Sequence, residues 1–406
     1  MIEGLLGHVR VGDSYPVRTM AVINLSQESF YKGSVAGPNE ALAMAMAFAK
    51  EGADLVDVGA VSTAPGSPRI DEIQERERLL PVLKQILENL EIDVSVDTQR
   101  PSIAEVALSL GATCINDVSG LNNPQMAKTI ANYNASVIIM ASKMKPGDLL
   151  FLEDIIRLLG ESVQHAVKAG VSVEKITIDP GVGRWVPEKT PEYDLAILDG
   201  LTRLRCLQRP IMAAVSRKSF IGAKLNEPDP ARRLCGSLAA TVVAVYNGAH
   251  VVRTHDIAES LDAIRMAQAI RGNLGCINEA AIEAEILDYC GYSQELLEHL
   301  RRVGVDERGW EILSRKGSFR VISIKGINFQ EAIIIKQEML ARGGDAAISK
   351  IALRCDPQPE ETLVFGTVAQ YIGLIGNLRV QPFRLPAIGK AIEEALSQMD
   401  RPERYR

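Results

Sequence analysis

Aromatic residues are scarce in this chain, at 5% of 406. That is too few for a platform of interleaved aromatics on which single-stranded nucleic acid would stack. Excess positive charge is missing too: 45 Lys and Arg stand against 51 Asp and Glu, a net −6 at pH 7. This argues against nucleic acid or an anionic membrane as partner. The six cysteines, Cys114, Cys206, Cys235, Cys276, Cys290 and Cys355, form no CxxC pair and have no histidine at ligand spacing. Neither a disulfide framework nor a structural zinc site is indicated, and a reducing, cytoplasmic setting fits. Residues 1–18 carry charges throughout and lack an apolar signal core. One uncharged stretch, Gly236 to Val252, approaches membrane-spanning length. It contains Tyr246 and His250 and is broken by Asn247-Gly248, so it reads as a buried helix followed by a buried strand, not a membrane span.

Hydrophobic residues at 47% and charged residues at 24% are those of a globular protein. The first two thirds alternate short apolar, β-branched runs with helical patterns. Eight strands are predicted at 19–24, 54–59, 92–97, 113–117, 136–141, 175–179, 211–216 and 250–254. Continuous apolar runs of this kind suit parallel strands covered by helices on both faces. Helix punctuation lies between them: Pro38-Asn39 opens a helix that stops near Gly52, Pro101 starts one that Gly111 closes, and Asp229-Pro230 is a cap followed by proline. Eight such units in about 270 residues predict an α/β fold, a (β/α)8 TIM barrel over 1–272. A doubly wound open sheet is the alternative, but it would want a Gly-rich fingerprint after its first strand, and none is there.

Beyond 272 the pattern changes. Residues 273–308 read as a helical connector, with AAIEAEILDY and SQELLEHLRRV as its amphipathic parts. Residues 309–406 read as a small α/β domain of order βαββαα, long enough for its own core. It shows no phosphate loop, metal cluster or nucleophile motif, and is expected to be an assembly or lid module that does not bind the substrate.

Ligands of a parallel barrel bind at the carboxyl ends of its strands. Those ends deliver Asn24, Gly59, Asp97, Asn116, Met140, Asp179, the run Ser216-Arg217-Lys218-Ser219, and Arg253-Thr254-His255-Asp256. Asp97, Asn116 and Asp179 supply acceptors and one amide donor in an otherwise apolar recess. Such a set suits a flat heterocycle with an N–H/NH2 edge, each charge-assisted bond contributing roughly 1.5–3 kcal/mol. Lys218, Arg253 and His255 form a cationic group suited to phosphate oxygens, and Asn24 is a hard oxygen ligand suited to Mg2+.

The motifs INLSQESF, DVGAVSTAPG, SVDTQR, CINDVSGL, IDPGVG, SRKSFIG, GSLAA and VVRTHD, in that order over residues 18–272, resemble dihydropteroate synthase. That family joins 6-hydroxymethyl-7,8-dihydropterin diphosphate to an arylamine in folate biosynthesis. The resemblance implies pterin binding by Asp97, Asn116, Met140, Asp179 and Lys218, and diphosphate binding by Asn24, Arg253 and His255, with Mg2+ held at Asn24. It places Thr63, Pro65, Ser219 and Phe30 on the arylamine side. It assigns the catalytic work to Lys218, Asp97, Arg253 and His255, and it implies a homodimer. Catalysis would then consist of charge stabilisation at the leaving group and positioning, with no nucleophilic side chain.

The chain departs from the family in its loops. The usual Thr-Pro-Asp-Ser is Ser26-Gln27-Glu28-Ser29, a loop arginine is Ala64, a Met-His pair is Met140-Ala141, and the glycine before the Ser-Arg-Lys run is Ala214. The usual Gly-Phe-Gly-Lys-Thr becomes GRWVPEKT, longer by about three residues. These changes leave three readings: a synthase using p-aminobenzoate or a modified, ribose-phosphate-bearing arylamine, a pterin-dependent methyltransferase barrel, or a non-catalytic pterin-binding protein. Arg184, Lys143 and Lys145 are the cations available to an arylamine phosphate.

Overall fold

The computed structural model describes residues 2–26, 37–61, 70–272, 277–279, 282–284, 293–348 and 360–397. Two compact units divide the chain, the first built on Met1–Ile286 and the second on Leu287–Arg401.

The first unit opens with a hairpin, β1 (Glu3–Leu6) and β2 (Val9–Gly12). The alternating elements follow: β3 (Arg18–Asn24), α1 (Pro38–Glu51), β4 (Leu55–Gly59), α2 (Glu72–Asn89), β5 (Asp93–Asp97), α3 (Pro101–Leu110), β6 (Cys114–Asp117), α4 (Pro124–Asn132) and β7 (Ser136–Met140). Then come α5 (Leu152–Lys168), β8 (Ile176–Asp179), α6 (Pro191–Asp199), β9 (Met212–Ala213), α7 (Ser219–Leu225), α8 (Leu234–Tyr246), β10 (Val251–Thr254) and α9 (Ile257–Arg271). The parallel sheet runs β8-β7-β6-β5-β4-β3-β10-β9. A single parallel bridge, Ile178 to Ile211, joins its ends, with the Ile178 amide donating to Pro210 O at 2.9 Å. The result is the eight-stranded TIM barrel that the strand count predicts. Capping behaves as the sequence indicates at α1, which ends on Gly52 at φ 100°, and at α3, which runs from Pro101 to Gly111. At α2 the cap is reciprocal: Gln74 N donates to Asp71 Oδ1 and Asp71 N to Gln74 Oε1.

Charge along residues 1–18 hides the β1–β2 hairpin from a sequence reading. Leu6 and Val11 pack with Met20, Leu55, Cys114, Ile138, Met212 and Val251, all fully buried, and seal the barrel at its amino-terminal end. Burial of side chains of this size contributes roughly 1.5–3 kcal/mol each. Polar ties hold the hairpin tip: Gly7 N donates to Ser136 Oγ at 3.0 Å and His8 N to Asp93 Oδ2 at 3.0 Å. Just past the hairpin, Asp13 accepts from Arg205 Nη1 at 2.8 Å and Nη2 at 3.0 Å. It also lies 3.1 Å from His250 Nε2, and His250 Nδ1 accepts the Ile211 amide.

Other expectations need correction. The strand predicted at 211–216 spans only Met212–Ala213, because the chain turns early into the Ser216 run. Asp229 caps a one-turn 3₁₀ segment, Pro230–Arg232, and the long helix begins at Leu234. Part of AAIEAEILDY, expected as helix, is instead β12 (Ile282–Ala284), paired antiparallel with β11 (Ile277–Glu279). So short an apolar run carries little periodic signal of either kind. The division between units at Ile286 falls inside the expected connector.

The second unit contains α10 (Ser293–Val303), α11 (Glu307–Gly317), β13 (Phe319–Ile327), α12 (Phe329–Leu340), β14 (Asp345–Ala347), β15 (Glu360–Thr367), α13 (Val368–Leu378) and α14 (Leu385–Ser397). From β13 onward this is the βαββαα order read from the sequence. The strands form an antiparallel sheet in the order β13-β15-β14. Ile324, Ile335, Met339, Val364, Tyr371, Leu374 and Ile392 make a core of its own, in which Tyr371 Oη donates to Val364 O at 2.6 Å.

Candidate active site

Strand register aligns the strand-end residues in two sets, Met140 and Asp179 standing two residues beyond Ile138 and Thr177, the pair in register with Asn116. Asn24, Gly59, Asp97 and Asn116 are successive partners across β3, β4, β5 and β6, and Met140 partners Asp179 across β7 and β8. Two residues below Gly59, on the same face of β4, lies Asp57. It is fully buried, and it is the residue that sequence reasoning missed. A carboxylate at an inward position of an otherwise apolar parallel strand was the available signal.

Asp57 organises the floor. Its Oδ2 accepts from Arg253 Nε at 2.7 Å and from Asn116 Nδ2 at 3.0 Å. Arg253 Nη2 reaches Asp97 Oδ2 at 3.3 Å. Because the Asn116 amide nitrogen is committed to an acceptor-only oxygen, its Oδ1 is fixed as the free face of the amide. That Oδ1, like Asp57 Oδ1, is buried with no hydrogen-bond partner among the described residues. Asp97 is pushed up to about 7 by burial and by the Asp57 charge, with Arg253 opposing. Burial would lower the Arg253 guanidinium, but Asp57 and Asp97 hold it above its ordinary value.

Asp179 accepts the Gly181 amide at 2.8 Å. Burial raises its pKa, while the Lys218 charge and that amide pull it back. Lys218 donates from Nζ to Val182 O. Burial lowers Lys218 to about 8, with Asp179 opposing. Ser219 is exposed at the first position of α7, beside Lys218.

His255 does not join the cations as expected. Its Nδ1 lies 2.9 Å from Ser216 Oγ, which also accepts the His255 amide at 3.3 Å. Burial, then the charges of Arg253, Arg217 and Lys218, push it down to about 3. Its imidazole is therefore neutral at physiological pH, and the cationic pair is Lys218 with Arg253. Next to it, Arg217 has a left-handed backbone, φ 57°. It is pinned by Asp256 (Nε to Oδ2 2.9 Å, Nη2 to Oδ1 2.5 Å), by the carbonyls of Pro230 and Ala231, and by Ser237 Oγ on its amide.

A sequence profile of the family described as Pterin binding enzyme matches residues 20–255. The dihydropteroate synthase of Bacillus subtilis is 34% identical over 264 residues, covering 63% of this chain and 90% of that one. The chain belongs to the dihydropteroate synthase family of transferases. Among solved structures, the dihydropteroate synthase of Coxiella burnetii in complex with pteroic acid is similar at 35% identity and a TM-score of 0.60, covering 67% of this chain and 99% of its own. That of Xanthomonas albilineans with 4-aminobenzoic acid is similar at 31% identity and a TM-score of 0.59, covering 66% and 98%.

Within this dihydropteroate synthase barrel, Phe30, Thr63, Pro65 and the substituted Ala64 lie outside the described residues, as does most of the Ser26-Gln27-Glu28-Ser29 loop. Lys143, Lys145 and Arg184 are exposed. The amides of Lys143, Met144 and Lys145 all donate to the Asp148 carboxylate, so that turn is closed upon itself. Asp117 likewise serves its own loop, accepting from Ser119 N, Ser119 Oγ and Leu121 N.

Proposed function

We propose that this site condenses 6-hydroxymethyl-7,8-dihydropterin diphosphate with p-aminobenzoate or a closely similar arylamine and releases diphosphate. The observation that carries the reading is the pair of buried oxygens Asn116 Oδ1 and Asp57 Oδ1, neither with a hydrogen-bond partner among the described residues: acceptors that want an N–H-rich partner. An unpartnered buried acceptor costs roughly 1–3 kcal/mol, which a pterin edge would return. The match to synthases over the barrel favours this over the methyltransferase and non-catalytic readings.

Asn116 and Asp179 take the pterin's N–H groups, and Asp97 accepts a further one when ionised. Lys218, across the β8–β9 seam from Asp179, meets the pterin beside it, and Met140, buried beside Gly181, gives the ring an apolar wall. Arg253 supports the diphosphate while tethered to Asp57, and neutral His255, oriented by Ser216, offers it a hydrogen bond. The methylene C–O bond breaks with its electron pair on diphosphate. The arylamine lone pair then forms the C–N bond, and the nitrogen loses a proton to water. Thr63, Pro65, Phe30 and Ser219 are assigned to the arylamine side.

Among the described residues no three His, Cys, Asp or Glu side chains form a metal cluster. Mg2+ usually rests on one or two protein oxygens plus substrate phosphates and water, and Asn24, half-buried level with Asp97, fits that role. When bound there, the ion would neutralise charge on the departing diphosphate.

Exposed Val243 and Tyr246 on α8 and Met266 and Ile270 on α9 support a homodimer through these helices. Their carboxyl ends lie side by side, with Arg271 Nη1 donating to Val245 O at 2.7 Å. Free Cys114, Cys206 and Cys235 suit a cytoplasmic setting. No helix among the described residues is long and apolar enough to cross a membrane.

The deciding assay follows diphosphate release from pterin diphosphate and Mg2+ with a panel of arylamines. Release with p-aminobenzoate is expected. Release only with a phosphorylated arylamine would move the substrate to the modified-pterin class, and tight pterin binding without turnover on any amine would sink the enzymatic reading.

A further inference from the structure

The run GRWVPEKT is closed at its base. Lys189, fully buried, donates from Nζ to Gly181 O at 2.6 Å and lies 3.5 Å from Asp194 Oδ1, which also takes the Gly183 amide at 2.7 Å. Burial lowers Lys189 and raises Asp194, each partner opposing the shift of the other. Between these anchors Arg184, Pro187 and Glu188 face solvent, while Trp185 is half-buried.

Trp185 touches both flanking loops. Its Nε1 donates to Val182 O at 3.3 Å. Its ring lies so close to Gly147, in the loop after β7, that a Cβ there would fall inside the indole. Gly147 is held in turn by its backbone N–H, which donates to Ser142 Oγ at 2.9 Å, and has a left-handed φ of 58°. On the other side, Lys218 Nζ sits 5.2 Å from the indole centroid. The Lys218 stem crosses Gly183, where a Cβ would come within 3.0 Å of Cδ. The ammonium is thus routed by a glycine below it and an aromatic face beside it.

We propose that Trp185 is a positioning residue of this enzyme: its ring face holds the Lys218 ammonium at the mouth of the pterin site and ties it to the loop after β7. The proposal rests on the assignment of Lys218 to pterin binding. An aromatic face attracts a cation through its quadrupole and does nothing for a neutral amine. The ring therefore works with Asp179 and Asp194, which also favour charged Lys218, and against burial, Arg253 and Lys189, which disfavour it.

The test uses the full chain and two substitutions, Trp185→Leu, which keeps apolar bulk without a π face, and Trp185→Phe, which keeps the face. Melting temperature, kcat/KM for pterin diphosphate across pH, and pterin affinity across pH by calorimetry are measured on each. W185L is expected to fold normally, to lose roughly three- to tenfold in kcat/KM and affinity, and to shift the alkaline limb to lower pH. W185F should recover most of both. An unmoved alkaline limb in W185L, or equal losses in both variants, overturns the proposal. Failure of the unsubstituted chain to bind pterin at all would instead overturn the underlying assignment and this proposal with it.

Discussion

One guanidinium serves two carboxylates in the floor of this site, and burial of that floor and of Lys218 sets the pH range in which it works. In the proposed role Asp97 accepts a pterin N–H most strongly when ionised. Its pKa of about 7, raised by burial and Asp57, means that the charge assisting this bond is lost as pH falls through neutrality. Lys218, lowered to about 8 chiefly by burial, loses its charge as pH rises. The kcat/KM profile should therefore be a narrow bell with limbs near those two values. Asp97→Asn should remove the acid limb and lower kcat/KM by roughly 10- to 150-fold, the worth of one charge-assisted bond. His255→Gln should lower kcat/KM without moving that limb, since His255 is already neutral there. A limb that survives D97N and vanishes in H255Q would reverse these assignments. The strand ends Asp97, Asn116 and Asp179 were legible from sequence because polar residues terminate apolar runs. Asp57 was not, because an inward carboxylate inside a strand looks like a defect until Arg253 and Asn116 are seen converging on it. The charge of His255 was equally hidden, since it depends first on burial and then on cations from three other positions in the chain.

Among the elements, β9 is the least secure. Only two of its residues pair in the sheet, with β10, and a single bridge links its flank to β8. Side chains do the rest: Ser216 binds His255 and Arg217 binds Asp256, two rungs between the turn that carries Lys218 and the residues just after Arg253 on β10. Asp256→Ala leaves the Arg217 guanidinium without its carboxylate in a buried setting, a loss expected to cost roughly 3–5 kcal/mol in denaturant unfolding. A cost below about 1 kcal/mol would show that the Pro230 and Ala231 carbonyls suffice. The sequence made the eight strands and most helix starts readable through apolar runs, prolines and glycines. It could not reveal the rungs, which join residues 39 apart, nor the β1–β2 hairpin, whose two apolar anchors are spaced among charges.

At the scale of the whole molecule, the hairpin and the second unit raise separate questions of stability. Asp13 is held well below the usual carboxylate range by His250 and Arg205, against the opposing effect of burial. Burial pushes His250 down, with Asp13 opposing. Both groups have folded values below their unfolded ones, so both contribute stability that is present at neutral pH and lost on acidification. Asp13→Asn should cost roughly 3–5 kcal/mol at pH 7 and flatten the fall in stability below about pH 5; an unchanged acid slope there would place the sensitivity elsewhere. The second unit has its own buried core, so a chain shortened after Ile286 should keep its pterin affinity in calorimetry. Loss of affinity with the barrel still folded would give that unit a part in the site.

The ring seam between β8 and β9 has a mechanical consequence. Asp179 stands on one side of it and Lys218 on the other, so a pterin gripped by both acts as a staple across the weakest joint of the barrel. Ligand binding should then slow amide hydrogen exchange most along Ile176–Asp179 and Met212–Ala213, and the catalytic geometry would be completed by the substrate clamping the barrel shut.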